Sequence, residues 1–186
     1  IFSEGKKYSS LTIQNESYRR FSPNIRIVEN FNSFDCAIIL LRIKPDILIL
    51  GGTRIIKDYI LAIPRIGTLN VHPGLLPKYQ GVDVIPWAIY NNDEVGITVH
   101  FVDEGIDTGK IISQAKIVIN PGDNLQSISQ KAMIMGGIKI TEVVEKIYHN
   151  RQIKAKNQNS KGVLYYQMPN KLIKIVERKL AQWPKR

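Results

Sequence analysis

With 186 residues, 44% of them hydrophobic and 23% charged, the chain is long enough for one well-buried domain, too short for two of ordinary size, and too apolar for a disordered segment. A single cysteine, Cys36, excludes an internal disulfide framework, and no apolar run approaches the roughly 20 residues of a membrane-spanning helix, so a reducing, cytoplasmic setting is expected. The formal charge of +10 is uneven: residues 1–138 carry 14 Lys/Arg and 13 Asp/Glu, net +1, whereas residues 139–186 carry 12 and 3, net +9.

The chain opens on Ile1 instead of Met, and residues 1–7 lack the basic, apolar, small-residue order of a signal peptide; a trimmed or fragmentary sequence is expected. Residues 25–28 read as a strand. Ser33 then caps a helix to Arg42, with Ala37, Leu40 and Leu41 as its apolar face and Pro45 as its stop. The run 46–50, apolar after Asp46 and closed by Gly51-Gly52, predicts a strand buried on both faces of a parallel sheet. A short helix over 56–62 ends near Pro64, and a strand over 68–72 runs into Pro73. This β-α-β-α-β order predicts a Rossmann-like α/β fold, a mostly parallel sheet with helices on both faces, whose sites lie at the carboxyl ends of strands. His72 stands at one such end.

Two further strands are predicted over 96–102 and 111–119, around the acidic, glycine-containing loop 103–109. After the Pro121-Gly122 break, Asp123 with Gln126 resembles a capping box, and Leu125, Ile128, Ala132, Met135, Ile138 and Val143 keep helical spacing to Tyr148. Residues 150–162 are polar and predict an exposed connection before a short extended piece at 163–166. In the last helix Leu172, Ile173, Ile175, Val176 and Leu180 fall on one side, with Lys171, Lys174, Arg178 and Lys179 mostly on the other.

Asn70-Val71-His72 places two polar side chains two positions apart on a strand, so both point to one face of the sheet. Alone, such a pair reads as well as an Asn satisfying a loop and a His ending a strand. The longer pattern is more specific. Asn70-Val-His-Pro-Gly-Leu-Leu-Pro-Lys-Tyr-Gln-Gly81, followed across Gly96-Ile-Thr-Val-His100 by a loop ending Asp107-Thr-Gly109, resembles the folate-dependent formyltransferases. That family includes the glycinamide ribonucleotide, methionyl-tRNA and sugar-nucleotide enzymes, with the pattern N-x-H-P-S-L-L-P-x-Y-x-G and a downstream D-x-G or D-G-G. The resemblance runs over residues 45–148.

The resemblance implies transfer of a formyl group from 10-formyltetrahydrofolate to a primary amine, without a metal, with Asn70, His72 and Asp107 as the catalytic residues. In that chemistry Asn70 and a protonated His72 stabilise a tetrahedral oxyanion, and Asp107 holds His72 protonated and takes or relays the amine proton. It also implies donor contacts in two loops: Gly52, Arg54 and Ile56 in one, Val102, Glu104, Gly105 and Ile106 in the other. Gly74, Lys78 and His100 are the expected acceptor-side residues. Lys78 also reads as solvated, His100 as a structural histidine, and Trp87 as core.

The pattern departs from the family in two places. Gly74 stands where most relatives have Ser, and nothing in residues 1–26 matches the family's opening strand and phosphate loop, a unit of roughly 30 residues. The expected organisation is therefore an N-terminally short formyltransferase domain over 1–150 and a basic extension over 151–186 whose helix packs on it. The expected acceptor is a small one, an amino-sugar nucleotide or glycinamide ribonucleotide, because the chain ends where methionyl-tRNA formyltransferase adds a domain. A homodimer is the expected assembly, with no membrane or nucleic-acid partner. Two other readings stay open: a non-catalytic folate- or partner-binding descendant, and an RNA-binding module driven by the basic tail.

Overall fold

Ser33 sets the first described helix. Its Oγ accepts a hydrogen bond from the Cys36 backbone N–H at 3.1 Å, satisfying one of the amides that a helix start leaves without a carbonyl. The helix, α1 (Phe34–Ile43), stops at Lys44 in a left-handed conformation, one residue ahead of Pro45. It buries Cys36, Ala37 and Leu40, while Leu41, expected on the same face, is exposed. In the computed structural model residues 2–4 and 26–183 are described; the expectation that residues 1–26 lack a phosphate loop falls almost wholly outside them.

The chain divides into two bodies, Ile1–Leu48 with Gly52–Gly67, and Ile49–Gly51 with Thr68–Arg186. In the first, β1 (Phe2–Glu4) pairs in parallel with β2 (Arg26–Val28), and α2 (Asp58–Leu61) is a single turn that buries Ile60. The loop before α2 is braced by Asn32, whose Nδ2 donates to the Ile55 carbonyl at 2.9 Å and whose Oδ1 accepts from the Lys57 N–H at 2.7 Å. Gly52, with φ 65, and the exposed Arg54 lie in this loop, and Ile56 is buried.

The main sheet has the order β3 (Ile47–Leu50), β4 (Gly67–His72), β6 (Val95–Phe101), β7 (Ile111–Ile117). The architecture is the expected mixed α/β one, with a pairing detail that strand–helix alternation does not reveal. β4 with β6, and β6 with β7, run antiparallel; for the second pair, the loop between β6 and β7 is too short to hold a crossover helix. Among the described residues β3 ends the sheet order, and Ile49 is 44% exposed, so the expectation of burial on both faces is not met.

Helix α3 (Val84–Tyr90) packs on β6, α4 (Leu125–Tyr148) on β6 and β7, and α5 (Asn170–Ala181) on α3. Their inward residues, among them Ile85, Ile89, Ile128, Val143, Val176 and Leu180, form one core with Leu69, Ile97 and Val99 of the sheet. The box that starts α4 lies one residue later than expected. Asn124 Oδ1 accepts from the Ser127 N–H, and Ser127 Oγ accepts from the Asn124 N–H. Asp123 accepts from the Ser127 hydroxyl at 2.8 Å and from the Asn120 N–H, and pairs with Lys131 at 2.5 Å. Ile138, counted among the inward positions of α4, is 49% exposed. Among the described residues no helix is long and apolar enough to cross a membrane.

Residues 150–162 do more than connect. Lys156 bridges to Ile111 through two 2.8 Å backbone hydrogen bonds, and β8 (Val163–Tyr165) pairs in parallel with β5 (Tyr79–Gly81). Ile128→Ala, which removes a fully buried side chain, is expected to lower unfolding free energy by about 2–5 kcal/mol. Ile134→Ala, six residues along at an exposed position, changes it by no more than about 0.5 kcal/mol. Urea unfolding of both variants checks the difference.

Candidate active site

The β4–β6 register sets Asn70 opposite His100 and His72 opposite Thr98. Strand alternation then brings all four side chains to one face. His72, His100 and Thr98 are buried there, with Asn70 half-buried at the rim. The fifth group, Asp107, arrives from the loop after β6 with a positive φ of 55°, a left-handed conformation that Asp tolerates better than most residues.

That conformation places the Asp107 carboxylate, 13% exposed, between two imidazoles. Its Oδ2 lies 3.3 Å from His72 Nδ1 and its Oδ1 3.5 Å from His100 Nε2. Oδ2 also accepts from the Gly81 N–H at 2.8 Å, so β5 fixes the carboxylate from the far side. Burial works to raise the Asp107 pKa, but hydrogen bonding to His100, the charge of His72 and the Gly81 N–H outweigh it and hold the carboxyl below its ordinary value.

His72 has an acceptor at each ring nitrogen. Nε2 donates to the Tyr79 carbonyl at 2.7 Å, leaving Nδ1 to face Asp107. Burial draws its pKa below the usual histidine value, against the pull of Asp107 and of the Tyr79 carbonyl. In the His100 ring Nδ1 donates to its neighbour's carbonyl, Phe101 O, at 2.7 Å. Its Nε2 is 3.3 Å from Asn70 Nδ2. The neutral ring accepts from Asn70; a proton on Nε2 turns it into a donor toward Asp107. In the neutral state, then, His100 aims Asn70; with Nε2 protonated it turns to Asp107 instead.

Gly74 is packed against this arrangement. A Cβ there would stand 2.7 Å from His72 Nε2 and 2.9 Å from the Tyr79 carbonyl oxygen, so a side chain at this position requires the ring or the turn around it to shift. Where most relatives have Ser, glycine leaves the ring room in its present place. Thr98 holds the same turn: its Oγ1 donates to Gly74 O at 2.6 Å and accepts from the Leu76 N–H and Gln114 Nε2 at 3.1 and 3.0 Å.

The structure therefore gathers Asn70, His72, Gly74, His100 and Asp107. Lys78 is elsewhere engaged: its Nζ pairs with Asp93 at 2.6 Å, and Asp93 also accepts from the Tyr79 hydroxyl at 2.5 Å. Hydrogen bonds from Lys78 and Tyr79 hold the Asp93 carboxyl below its usual range. On the 102–107 loop, the Val102 N–H donates to Thr68 O at 2.8 Å and the Gly105 N–H to Asp103 Oδ1 at 3.2 Å. Glu104 is exposed, as is Ile106 beside the half-buried Asp107. Gly52, Arg54 and Ile56 belong to the first body.

Thr98, the Tyr79 carbonyl and the Gly81 N–H escaped sequence reasoning. Thr98 was within its reach, being two positions before His100 on the same strand. The backbone groups were not, since side-chain patterns carry no record of where a carbonyl points. The depressed His72 pKa has a consequence for stability. Unfolded His72 binds its proton near the ordinary value of 6.5, so below that pH the unfolded state holds more protons and folding weakens as pH falls. Asp107 adds to the loss only below its ordinary 3.8. Unfolding free energy is expected to decline between about pH 7 and pH 5, with a shallower decline in His72→Gln. Equal slopes would contradict this assignment.

The formyl transferase family pattern matches residues 29–144. Over 108 residues the chain is 40% identical to methionyl-tRNA formyltransferase of Bacteroides thetaiotaomicron, a match covering 58% of this chain and 34% of that protein. The fold is similar to that of a 4-N formyltransferase from Francisella tularensis, with a TM-score of 0.70 and 22% identity over 88% of this chain and 63% of that one. It is also similar to the formyltransferase PseJ from Anoxybacillus kamchatkensis, solved with UDP-4,6-dideoxy-4-formamido-L-AltNAc and tetrahydrofolate, with a TM-score of 0.63 and 22% identity over 88% and 82% of the two chains. The curated relative is about three times as long as the region it shares with this chain. With its strand-borne Asn70 and His72 and its loop-borne Asp107, the chain belongs to the formyl transferase family.

Proposed function

We propose that this chain transfers the formyl group of 10-formyltetrahydrofolate to a primary amine, with Asn70, His72 and Asp107 as its catalytic residues. The observation that carries the reading is the Asp107 carboxylate set against buried His72 on the strand face that also bears Asn70. The donor is a substrate, consumed in each turnover. Its flat ring is proposed to lie along residues 102–106, where Gly105 and the exposed Ile106 leave backbone and apolar surface open beside the carboxylate.

In the proposed reaction the amine nitrogen bonds to the formyl carbon, a tetrahedral oxyanion forms, and the bond from that carbon to the folate nitrogen breaks. Asn70 keeps one Nδ2 hydrogen beyond the one shared with His100, and that hydrogen is the donor to the oxyanion. Such a donor contributes about 3–4 kcal/mol of transition-state stabilisation. His72 plays a different part from the one expected of it. With Nε2 given to Tyr79 O and Nδ1 facing Asp107, it stores a proton instead of reaching for the oxyanion. The Asp107–His72 pair takes the amine proton as the new bond forms and returns it to the departing folate nitrogen.

Two acceptor classes fit. The first is the amine of a small phosphorylated molecule, an amino-sugar nucleotide or glycinamide ribonucleotide. The second is the amine of methionyl-tRNA, favoured by the 40% identity to a protein of that name and by the net charge of +9 over residues 139–186. Tetrahydrofolate release, measured with each acceptor in turn, distinguishes them. Asp107→Asn is expected to lower the rate with the true acceptor by about 10²- to 10⁴-fold. No release with any acceptor, or an unimpaired Asp107→Asn, would sink the reading.

A further inference from the structure

Asp107 reaches both imidazoles from a left-handed backbone conformation, and one of the side chains that grip that turn lies far along the chain. The Gln158 side chain donates from Nε2 to the Asp107 carbonyl at 2.8 Å and to the Gly109 carbonyl at 2.7 Å. The two hydrogens of one amide nitrogen thus span the turn that presents the carboxylate. A weaker contact, Gln80 Nε2 to the same Asp107 carbonyl at 3.4 Å, is the other side-chain hold on that oxygen.

The orientation of the Gln158 amide is fixed by what it touches. Turning it over would set its oxygen against two carbonyl oxygens, so the nitrogen must face them. The cost is visible on the other side: Gln158 Oε1 is buried with no hydrogen-bond partner among the described residues. Buried amide oxygens are seldom left unpaired unless another requirement prevails. The requirement here is the 107–109 turn.

Gln158 is itself held by backbone on either side. Two positions before it, Lys156 and Ile111 exchange N–H and carbonyl at 2.8 Å. Beyond it, β8 pairs with β5, and the Val82 N–H donates to Tyr165 O at 3.0 Å. The fit is close at Gly81, where a Cβ would stand 2.2 Å from that same carbonyl oxygen. β5 in turn supplies the Tyr79 carbonyl to His72 and the Gly81 N–H to Asp107. The segment 156–165 therefore straps the backbone that seats both residues, and it lies beyond the family-matched stretch that ends at 144.

We propose that Gln158 is a positioning residue for the Asp107–His72 pair, acting through the backbone of the 107–109 turn without touching substrate. The inference rests on the proposed formyl transfer for its effect on rate, and on geometry alone for its effect on His72. If the clamp is lost, Asp107 relaxes toward negative φ and its carboxylate swings away from His72, His100 and the Gly81 N–H. His72 then keeps burial and the neighbouring His100, both of which disfavour its charged form, and loses the carboxylate that favours it.

The test follows the imidazole nitrogens of ¹⁵N-labelled protein through a pH titration, in wild type, Gln158→Met, Gln158→Asn and Asp107→Asn, with formyl-transfer kinetics on the same samples. Gln158→Met keeps the side chain's length without its donors; Gln158→Asn keeps an amide too short to span both carbonyls and disturbs packing differently. Both are expected to move the His72 midpoint in the direction that Asp107→Asn moves it, and to lower kcat about 10- to 100-fold with KM within about twofold. If either variant keeps the wild-type fold, midpoint and kcat while Asp107→Asn alters both, the inference is overturned. If wild type itself transfers no formyl group, the functional reading fails, and the ring titration still decides the clamp.

Discussion

A carboxylate shared between two buried imidazoles needs an exact approach, and Asp107 makes its approach from a backbone conformation that most side chains avoid. Much of the surrounding structure serves that placement. β4 and β6 pair so that His72 and His100 point the same way. β5 lends a carbonyl to one nitrogen of His72 and an N–H to the carboxylate itself. Gly74 leaves the room in which the ring lies, and Thr98 ties down the turn that contains Gly74. The opposing influences of burial and charge on His72 follow from this enclosure: the fewer waters near the pair, the more its protonation depends on where the carboxylate sits.

That Asn70 and His72 share a face was legible because a strand has a period of two, while the longer family pattern alone singled them out together with Asp107; the groups that support them left little trace in the sequence. His100 could be read either as lining the site or as structural, and its place across from Asn70 is set by hydrogen bonding between strands, which one strand's pattern does not contain. The antiparallel run of β6 and β7 was similarly hidden, since each segment reads as a strand whichever way its neighbour runs. The box at the start of α4 slipped by one residue because Asp123, Asn124, Gln126 and Ser127 offer competing caps, and Asn124 is the one that exchanges hydrogen bonds with Ser127. Gln158 sits in a polar stretch whose composition announces only exposure.

The basic C-terminal portion has an internal use as well as a surface. On α5 Val176 and Leu180 enter the core, while Lys179 Nζ turns back to the Tyr90 carbonyl at 2.5 Å and Asn92 Oδ1 at 2.9 Å. A cation at the carboxyl end of α3 meets carbonyls that the helix leaves unpaired. Lys139 is paired with Glu142 at 2.9 Å. Lys171, Lys174 and Arg178 remain on the exposed side of α5, and Lys146, Arg151, Lys154, Lys156 and Lys161 are exposed before it.

The central claim is that a formyl carbon passes from a folate nitrogen to an acceptor nitrogen at the Asn70, His72, Asp107 site. Its most direct test is a single-turnover reaction with 10-formyltetrahydrofolate carrying ¹³C in the formyl group, followed by carbon NMR. The account predicts that the label leaves the folate and appears as a formamide on the acceptor, in step with tetrahydrofolate formation and dependent on Asp107. Label that stays on the folate, or emerges as free formate whatever acceptor is present, would contradict it.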